Sequence, residues 1–424
     1  MKKTLFIISL FSLTFISAQD LYLQCGSIVD TDTGKILKEK TIVVSGNKIK
    51  SVQNGFVNGS GSDKIIDLKS KTVLPGFIDM HVHIEGESSP TRYLDRFTKN
   101  PADIAFQSTV YAERTLLAGF TTVRDLGGSG VNIALRNAIN KGVVKGPRIF
   151  TAGKTIASTG GHGDPTNGMR EDLKGNPGPK EGVVNSPEDA KKAVRQRYKD
   201  GSDCIKITAT GGVMSVAKNG QNPQFTIEEI KAITATAKDY GFLTAAHAHG
   251  DEGMRRAVLG GIKTIEHGTL MSEETMDLMV KHNTFLVPTI SAGKAAAKMA
   301  DIPGFLPPVV AKKAREIGPV SQITFGKAYK KGVSIAFGTD AGVSRHGDNG
   351  KEFGFMHEAG MPIMETIQAA TTTNAKLLGM ENELGQLKAG FLADIVAVDE
   401  DPTKNVSTME NAVFVMKEGV VYKK

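Results

Sequence analysis

The chain of 424 residues is 40% hydrophobic and 23% charged, an ordinary globular composition, and it is long enough for more than one domain or for one barrel with additions. Its formal net charge of +7 comes without a dense Lys/Arg run, so a nucleic-acid partner is not expected. The two cysteines, Cys25 and Cys204, make no disulfide framework, and Cys204, set in an apolar run, reads as a small core residue.

The chain opens on Met1-Lys2-Lys3, continues in an apolar run from Leu5 to Ile16 and then reads Ser17-Ala18-Gln19. A charged start, a short apolar stretch and a small residue before a polar one predict a signal peptide over 1–18, cut after Ala18. The run is short for a bilayer span, and no later stretch reads as transmembrane. The mature chain is therefore expected to be exported, periplasmic or extracellular.

Residues 20–75 hold short strand-like runs, such as Leu21 to Cys25 and Thr41 to Val44, separated by Gly, Asn and Asp. The C-terminus has the same texture, with Asp394 to Val398 and Val413 to Met416 around a loop with Pro402. Two strand-rich ends around a different middle predict one small β-sandwich domain built from 19–75 and 385–424.

Between them, over 76–384, eight apolar runs alternate with helical stretches. They are Phe77–His81, Thr121–Asp125, Arg148–Thr151, Cys204–Ile207, Leu243–His247, Thr264–His267, Phe285–Pro288 and Ser334–Asp340. Nearly continuous apolar runs alternating with helices imply a buried parallel sheet, and eight of them predict an α/β fold of the (β/α)₈ TIM-barrel type. The 47 glycines suit the many tight connections such a fold needs. Two connections are long, about 155–200 and 291–331, and are expected as lids, binding loops or disorder.

Barrel enzymes carry their chemistry at the C-terminal ends of the strands. The first run ends in His81-Val82-His83, and residues two apart on a strand share a side. The fourth carries Lys206, the fifth His247, the sixth His267 and the eighth Asp340. A lone His at a strand end is usually only a satisfied polar residue. The full set in barrel order points instead to a metal site, and imidazole with carboxylate suits zinc and similar divalent ions. Lys206 either escapes to solvent, pairs with an acid such as Glu228, or is buried as a neutral amine that CO₂ can carbamylate into an anionic ligand.

These pieces resemble the amidohydrolase superfamily, in its binuclear branch. The likeness is to its secreted prolidase-like and imidazolonepropionase-related members, the group with Xaa-Pro dipeptidase-like and ochratoxinase-like enzymes. The matching segments span nearly all of the mature chain: Leu74 to His83, Gly119 to Asp125, Thr159 to Asp164, Ile205-Lys206-Ile207, Ala246 to Gly250, Ile265 to Gly268, Gly338 to Gly342 and Gly385 to Asp394. The resemblance implies that two divalent ions, expected to be Zn²⁺, share a hydroxide. One ion would take His81, His83, carbamylated Lys206 and Asp340, and the other Lys206, His247 and His267. Asp340 would be the general base and then the acid.

Around that set, His162 lies in a Gly-rich loop and is read either as a donor to the substrate carbonyl or as a packed loop histidine. His249, two past His247, is read as orienting a ligand, because the strand is expected to be turning there. His346 is placed near the pocket. Arg255 and Arg256 begin a helix and either grip a substrate carboxylate or are solvated helix charges; Arg92 and Tyr93 are second candidates for that grip. The resemblance leaves the family's carboxylate clamp open, since Gly250 stands where peptidase members often carry an aromatic residue.

The function expected is hydrolysis of an amide or peptide bond beside a free carboxylate, in a dipeptide, an N-acyl amino acid or an ochratoxin-like amide. The alternatives are cyclic amide or lactone hydrolysis and a non-enzymatic binding protein. Deamination is disfavoured because Gly250 replaces an expected acid. The substrate is expected to be a small molecule or short peptide, and the enzyme a homo-oligomer.

Overall fold

The computed structural model describes residues 19–61 and 63–424. The signal peptide expected over 1–18 lies outside the described residues. Four strands open the fold: β1 (Leu21–Asp30), β2 (Lys35–Ser45), β3 (Lys48–Asn54) and β4 (Lys64–Pro75). The middle supplies β5 (Phe77–Val82), β6 (Phe120–Asp125), β7 (Arg148–Thr151), β8 (Cys204–Thr208), β9 (Leu243–Gly250), β10 (Thr264–Leu270) and β11 (Phe285–Val287). The C-terminus adds β12 (Ile395–Val398), β13 (Phe414–Lys417) and β14 (Val420–Lys423).

The two ends of the chain form one β-rich unit. Its ladders join seven strands in the order β14-β13-β12-β4-β1-β2-β3, a single continuous sheet whose register shifts between Cys25 and Ser27. Leu23, Ile42, Val73, Ile395 and Phe414 fill its apolar face. Arg148, at the foot of the barrel, ties the two units together through Asp394 at 2.9 Å and Glu418 at 2.5 Å.

The seven middle strands form parallel ladders, β5-β6-β7 and β8-β9-β10-β11. Two seams close them into a ring. Ile156 bridges to Ile207, and the segment 334–341 lies between β11 and β5, with Ala336 N donating to Leu286 O at 2.9 Å and Asp340 N donating to His81 O at 2.7 Å. That segment is the eighth strand, so the barrel is the (β/α)₈ fold. β5, β6 and β8 are buried along their whole length, which is why they read as continuous apolar runs. Phe77, Phe120, Phe337 and Phe353 pack ring on ring beneath the barrel, with Phe337 and Phe353 centroids 4.5 Å apart.

The connection after β11 is not a loop. It holds helices Ile290–Ala300, Pro308–Ile317 and Val320–Lys331, joined by short turns. The connection after β7 keeps an irregular stretch around His162 before the helix Pro187–Asp200, which Ser186 caps by accepting from Asp189 N. Among the described residues no helix is long and apolar enough to cross a membrane. Cys25 and Cys204 are both buried free thiols, in the terminal sheet and the barrel respectively.

Candidate metal centre

The strand ends converge on a cavity of about 540 Å³. His81, His83, Lys206, His247, His267 and Asp340 all line it, so the six residues picked from the sequence are one cluster. At three places the chain strains to aim a side chain. His267 has φ 74°, Thr289 φ 49° and Asp340 φ 54°, left-handed values that cost a non-glycine residue on the order of 1–3 kcal/mol.

Each imidazole is held by one nitrogen, leaving the other for the cavity. His83 Nδ1 donates to Gly127 O at 2.7 Å, and His247 Nε2 donates to Gly211 O at 3.1 Å. His267 Nδ1 meets Thr289 Oγ1 at 2.7 Å. His81 Nδ1 sits 2.9 Å from Glu266 Oε2, a close polar contact off the line of a straight hydrogen bond. This is the arrangement by which metal-binding histidines are oriented.

Glu266 and its partner Arg124 were not singled out in the sequence. Both are fully buried, and Arg124 Nη2 donates to Glu266 Oε1 at 2.9 Å while its Nε donates to Met80 O at 2.7 Å. The signal was there: an Arg and a Glu inside strands otherwise nearly free of charge. Strand alternation would set Glu266 and His267 on opposite sides, but the positive φ of His267 breaks the alternation, so His267 lines the cavity while Glu266 reaches it through His81. Asp79 was also passed over. It accepts from Thr339 Oγ1 at 2.6 Å and from Asn349 Nδ2 at 2.8 Å, and so pins the strand end that carries Asp340.

The donor set fits divalent cations. Asp340 Oδ1 is buried with no hydrogen-bond donor, 3.6 Å from His81 Nε2 and 3.5 Å from His83 Nε2. One ligand atom each from His81, His267 and Asp340 lies within 4.8 Å of the other two, and the same holds for His247, His249 and His267. Burial keeps His81, His247 and His267 well below the usual histidine pKa, so the rings stay neutral and ready to ligate. Lys206 is buried; its Nζ is 3.5 Å from His81 Nε2, and among the described residues no carboxylate comes within 4.0 Å of it. Burial pulls its pKa down to about 8, and burial pushes Asp340 up to about 7.

His162 also reaches the cavity. Its ring stacks on His247 at 4.3 Å, and its Nδ1 is buried without a partner. Gly212 lies beneath it; a Cβ there would fall 2.3 Å from the ring. Tyr93 and Arg92, on the helix Arg92–Thr98, line the cavity too. The Tyr93 hydroxyl is taken, donating to Met214 O at 2.7 Å. Arg92 makes one long bond, from Nη1 to Ser88 Oγ at 3.3 Å, and the rest of its guanidinium is available.

Three expected positions fall elsewhere. Arg255 and Arg256 both turn onto Glu252, at 2.8 and 2.7 Å, and neither lines the cavity. They lie three and four residues beyond Glu252 on one helix, which makes that acid their partner. His346 is packed behind the wall, stacked on Tyr111 with Nε2 donating to Gly86 O at 3.0 Å. The reading of His249 changes as well. β9 runs on to Gly250, so the strand has not turned and His249 faces the cavity beside His247.

A family model described as the amidohydrolase family matches residues 72–423. Ochratoxinase of Aspergillus niger is 30% identical over 368 residues, which cover 83% of this chain and 75% of the fungal one. Among solved structures, a Xaa-Pro dipeptidase with bound methionine in the active site is 50% identical with a TM-score of 0.93, over 96% of this chain and 100% of that one. A prolidase complexed with N-methylphosphonate-L-proline is 31% identical with a TM-score of 0.86, again over 96% and 100%.

Proposed function

The chain belongs to the amidohydrolase family and is a hydrolase acting on C–N bonds, and on that premise we propose that it cleaves the amide beside a free carboxylate in dipeptides and N-acyl amino acids. The observation that carries the reading is Asp340 Oδ1, a buried carboxylate oxygen with no donor, facing the Nε2 atoms of His81 and His83. The names of the relatives agree: a dipeptidase, a prolidase and ochratoxinase.

His81, His83, Asp340 and carbamylated Lys206 would hold one Zn²⁺, and Lys206, His247 and His267 a second. When bound, the ions supply a water acidified toward neutrality and polarise the scissile carbonyl. Carbamylation needs a neutral amine, and the depressed pKa of Lys206 favours one. Asp340, whose buried Oδ1 has no donor in the protein, can take a proton on its carboxylate and return it to the leaving amine. His162 is placed to donate to the carbonyl oxygen as negative charge builds there. The free side of the Arg92 guanidinium takes the substrate carboxylate, and Val213, Met214, Val216 and Ala296 give the same cavity an apolar wall for a side chain. The leader-like composition of residues 1–18 supports export of the mature enzyme.

The test is to incubate metal-loaded protein with dipeptide and N-acyl amino acid libraries, each beside its C-terminally amidated copy, and read the products by mass. Release of C-terminal residues from the free acids, with the amides spared, is expected. Turnover of esters or lactones alone would overturn the reading.

A further inference from the structure

We infer that His249 is itself a metal ligand, a third imidazole on the second ion beside His247 and His267; this rests on the metal-centre reading above. The inference starts from the strand. β9 carries His247-Ala248-His249 in extended backbone, so the two rings leave the same side, like His81 at the end of β5 and His83 just beyond it. The barrel mouth thus holds two His-x-His pairs.

The three rings form a compact set. Centroids are 4.7 Å apart for His247 and His249, 4.9 Å for His249 and His267, and 4.6 Å for His247 and His267. One ligand atom from each lies within 4.8 Å of the other two. The remaining nitrogens are accounted for. His249 Nδ1 meets Thr269 Oγ1 at 2.9 Å, as His267 Nδ1 meets Thr289 Oγ1 at 2.7 Å, and His247 Nε2 is taken by Gly211 O at 3.1 Å. That leaves Nε2 of His249, Nδ1 of His247 and Nε2 of His267. His249 Nε2 has no protein partner among the described residues, and its ring is part of the cavity wall. A packed core histidine would have both nitrogens bonded within the protein. A histidine acting only to orient another ligand would spend its ring on that neighbour. His249 instead bonds a threonine on the next strand, the same device that holds His267.

The consequence is a division between the two ions. The first depends on Asp340 and Lys206, whereas the second is held by three neutral imidazoles and relies less on Lys206.

The experiment uses the full protein loaded with Co²⁺. Hyperfine-shifted, exchangeable imidazole N–H resonances are counted by proton NMR in the unmutated enzyme. Five are expected, from His81, His83, His247, His249 and His267. Four would overturn the inference while leaving the metal-centre reading intact, and none would overturn both. In parallel, His249→Gly is titrated with Zn²⁺ against a chelating dye. Binding of the second ion should weaken by at least about 10²-fold with the first unchanged, and free imidazole should restore it. Unaltered binding of both ions overturns the inference, and if the variant fails to fold the resonance count decides.

Discussion

Glu266 Oε2 lies 2.9 Å from His81 Nδ1 while its other oxygen accepts from Arg124 Nη2 at 2.9 Å, and all three side chains are essentially excluded from solvent. One carboxylate therefore neutralises a buried guanidinium and orients a metal-facing imidazole. Glu266→Gln keeps the shape and removes the charge. Metal affinity is expected to fall roughly 10–100-fold. The unpaired Arg124 should cost about 3–5 kcal/mol of stability. Chelator competition and urea unfolding measure the two effects, and a variant normal in both would show that Glu266 is a passive core residue.

Arg92 and the Arg255–Arg256 pair make opposite predictions. Loss of a charge-assisted grip is worth about 1.5–3 kcal/mol, so Arg92→Ala should lower kcat/KM for free-acid substrates roughly 10–100-fold, mainly through KM. Arg255→Ala and Arg256→Ala should stay within about twofold, because both arginines are engaged with Glu252 outside the cavity. The reverse pattern would return the carboxylate grip to the helix after β9.

Burial pushes His81, His83, His162, His247, His249 and His267 below the ordinary histidine pKa of 6.5, His83 and His249 to about 3. At these six rings the unfolded chain binds more protons than the folded one below pH 6.5, each giving a slope of up to about 1.4 kcal/mol per pH unit toward lower stability as pH falls. Burial pushes Asp79 up to about 6 and Asp125, Asp340 and Glu352 up to about 7, which acts in the opposite sense, so with six rings against four acids the metal-free protein is expected to lose stability as pH drops from 6.5. Urea midpoints of metal-free protein at pH 7.5 and 5.5 check this. A midpoint at pH 5.5 equal to or above that at pH 7.5 would mean that the rings do not outweigh the buried acids.

His162→Ala should retain its metals and lose roughly 10²–10³-fold in kcat, the usual cost of removing one donor to a developing oxyanion. Metal analysis with steady-state kinetics separates the two effects. An unchanged kcat would leave His162 as a packing partner of His247.

The barrel was legible because parallel strands buried on both faces read as apolar runs, and Phe77–His81 or Cys204–Ile207 could be nothing else in that order. The six candidate ligands were legible because the fold puts strand ends together whatever separates them in sequence. What failed to show needed a partner. Glu252 captures Arg255 and Arg256, a pairing visible in the spacing but outweighed by the appeal of two arginines near a site. Glu266 depends on Arg124, 142 residues away, and on the strained φ of His267, which no pattern reports. The extent of β9 decided His249: three more residues of strand turned a supporting role into a place on the wall. The Ile290–Lys331 connection was expected as a loop, yet its helices bury Ala296, Val310 and Ile317 together with Val213 from the loop after β8.

The central claim is that hydrolysis depends on two ions held at this barrel mouth. The most direct measurement is to strip the protein with a chelator and follow hydrolysis of one free-acid dipeptide substrate as Zn²⁺ is added back in the presence of bicarbonate. Activity absent at the start, rising to a plateau at two ions per chain, is the predicted result; full activity in the stripped protein, or a plateau at one ion, would contradict it.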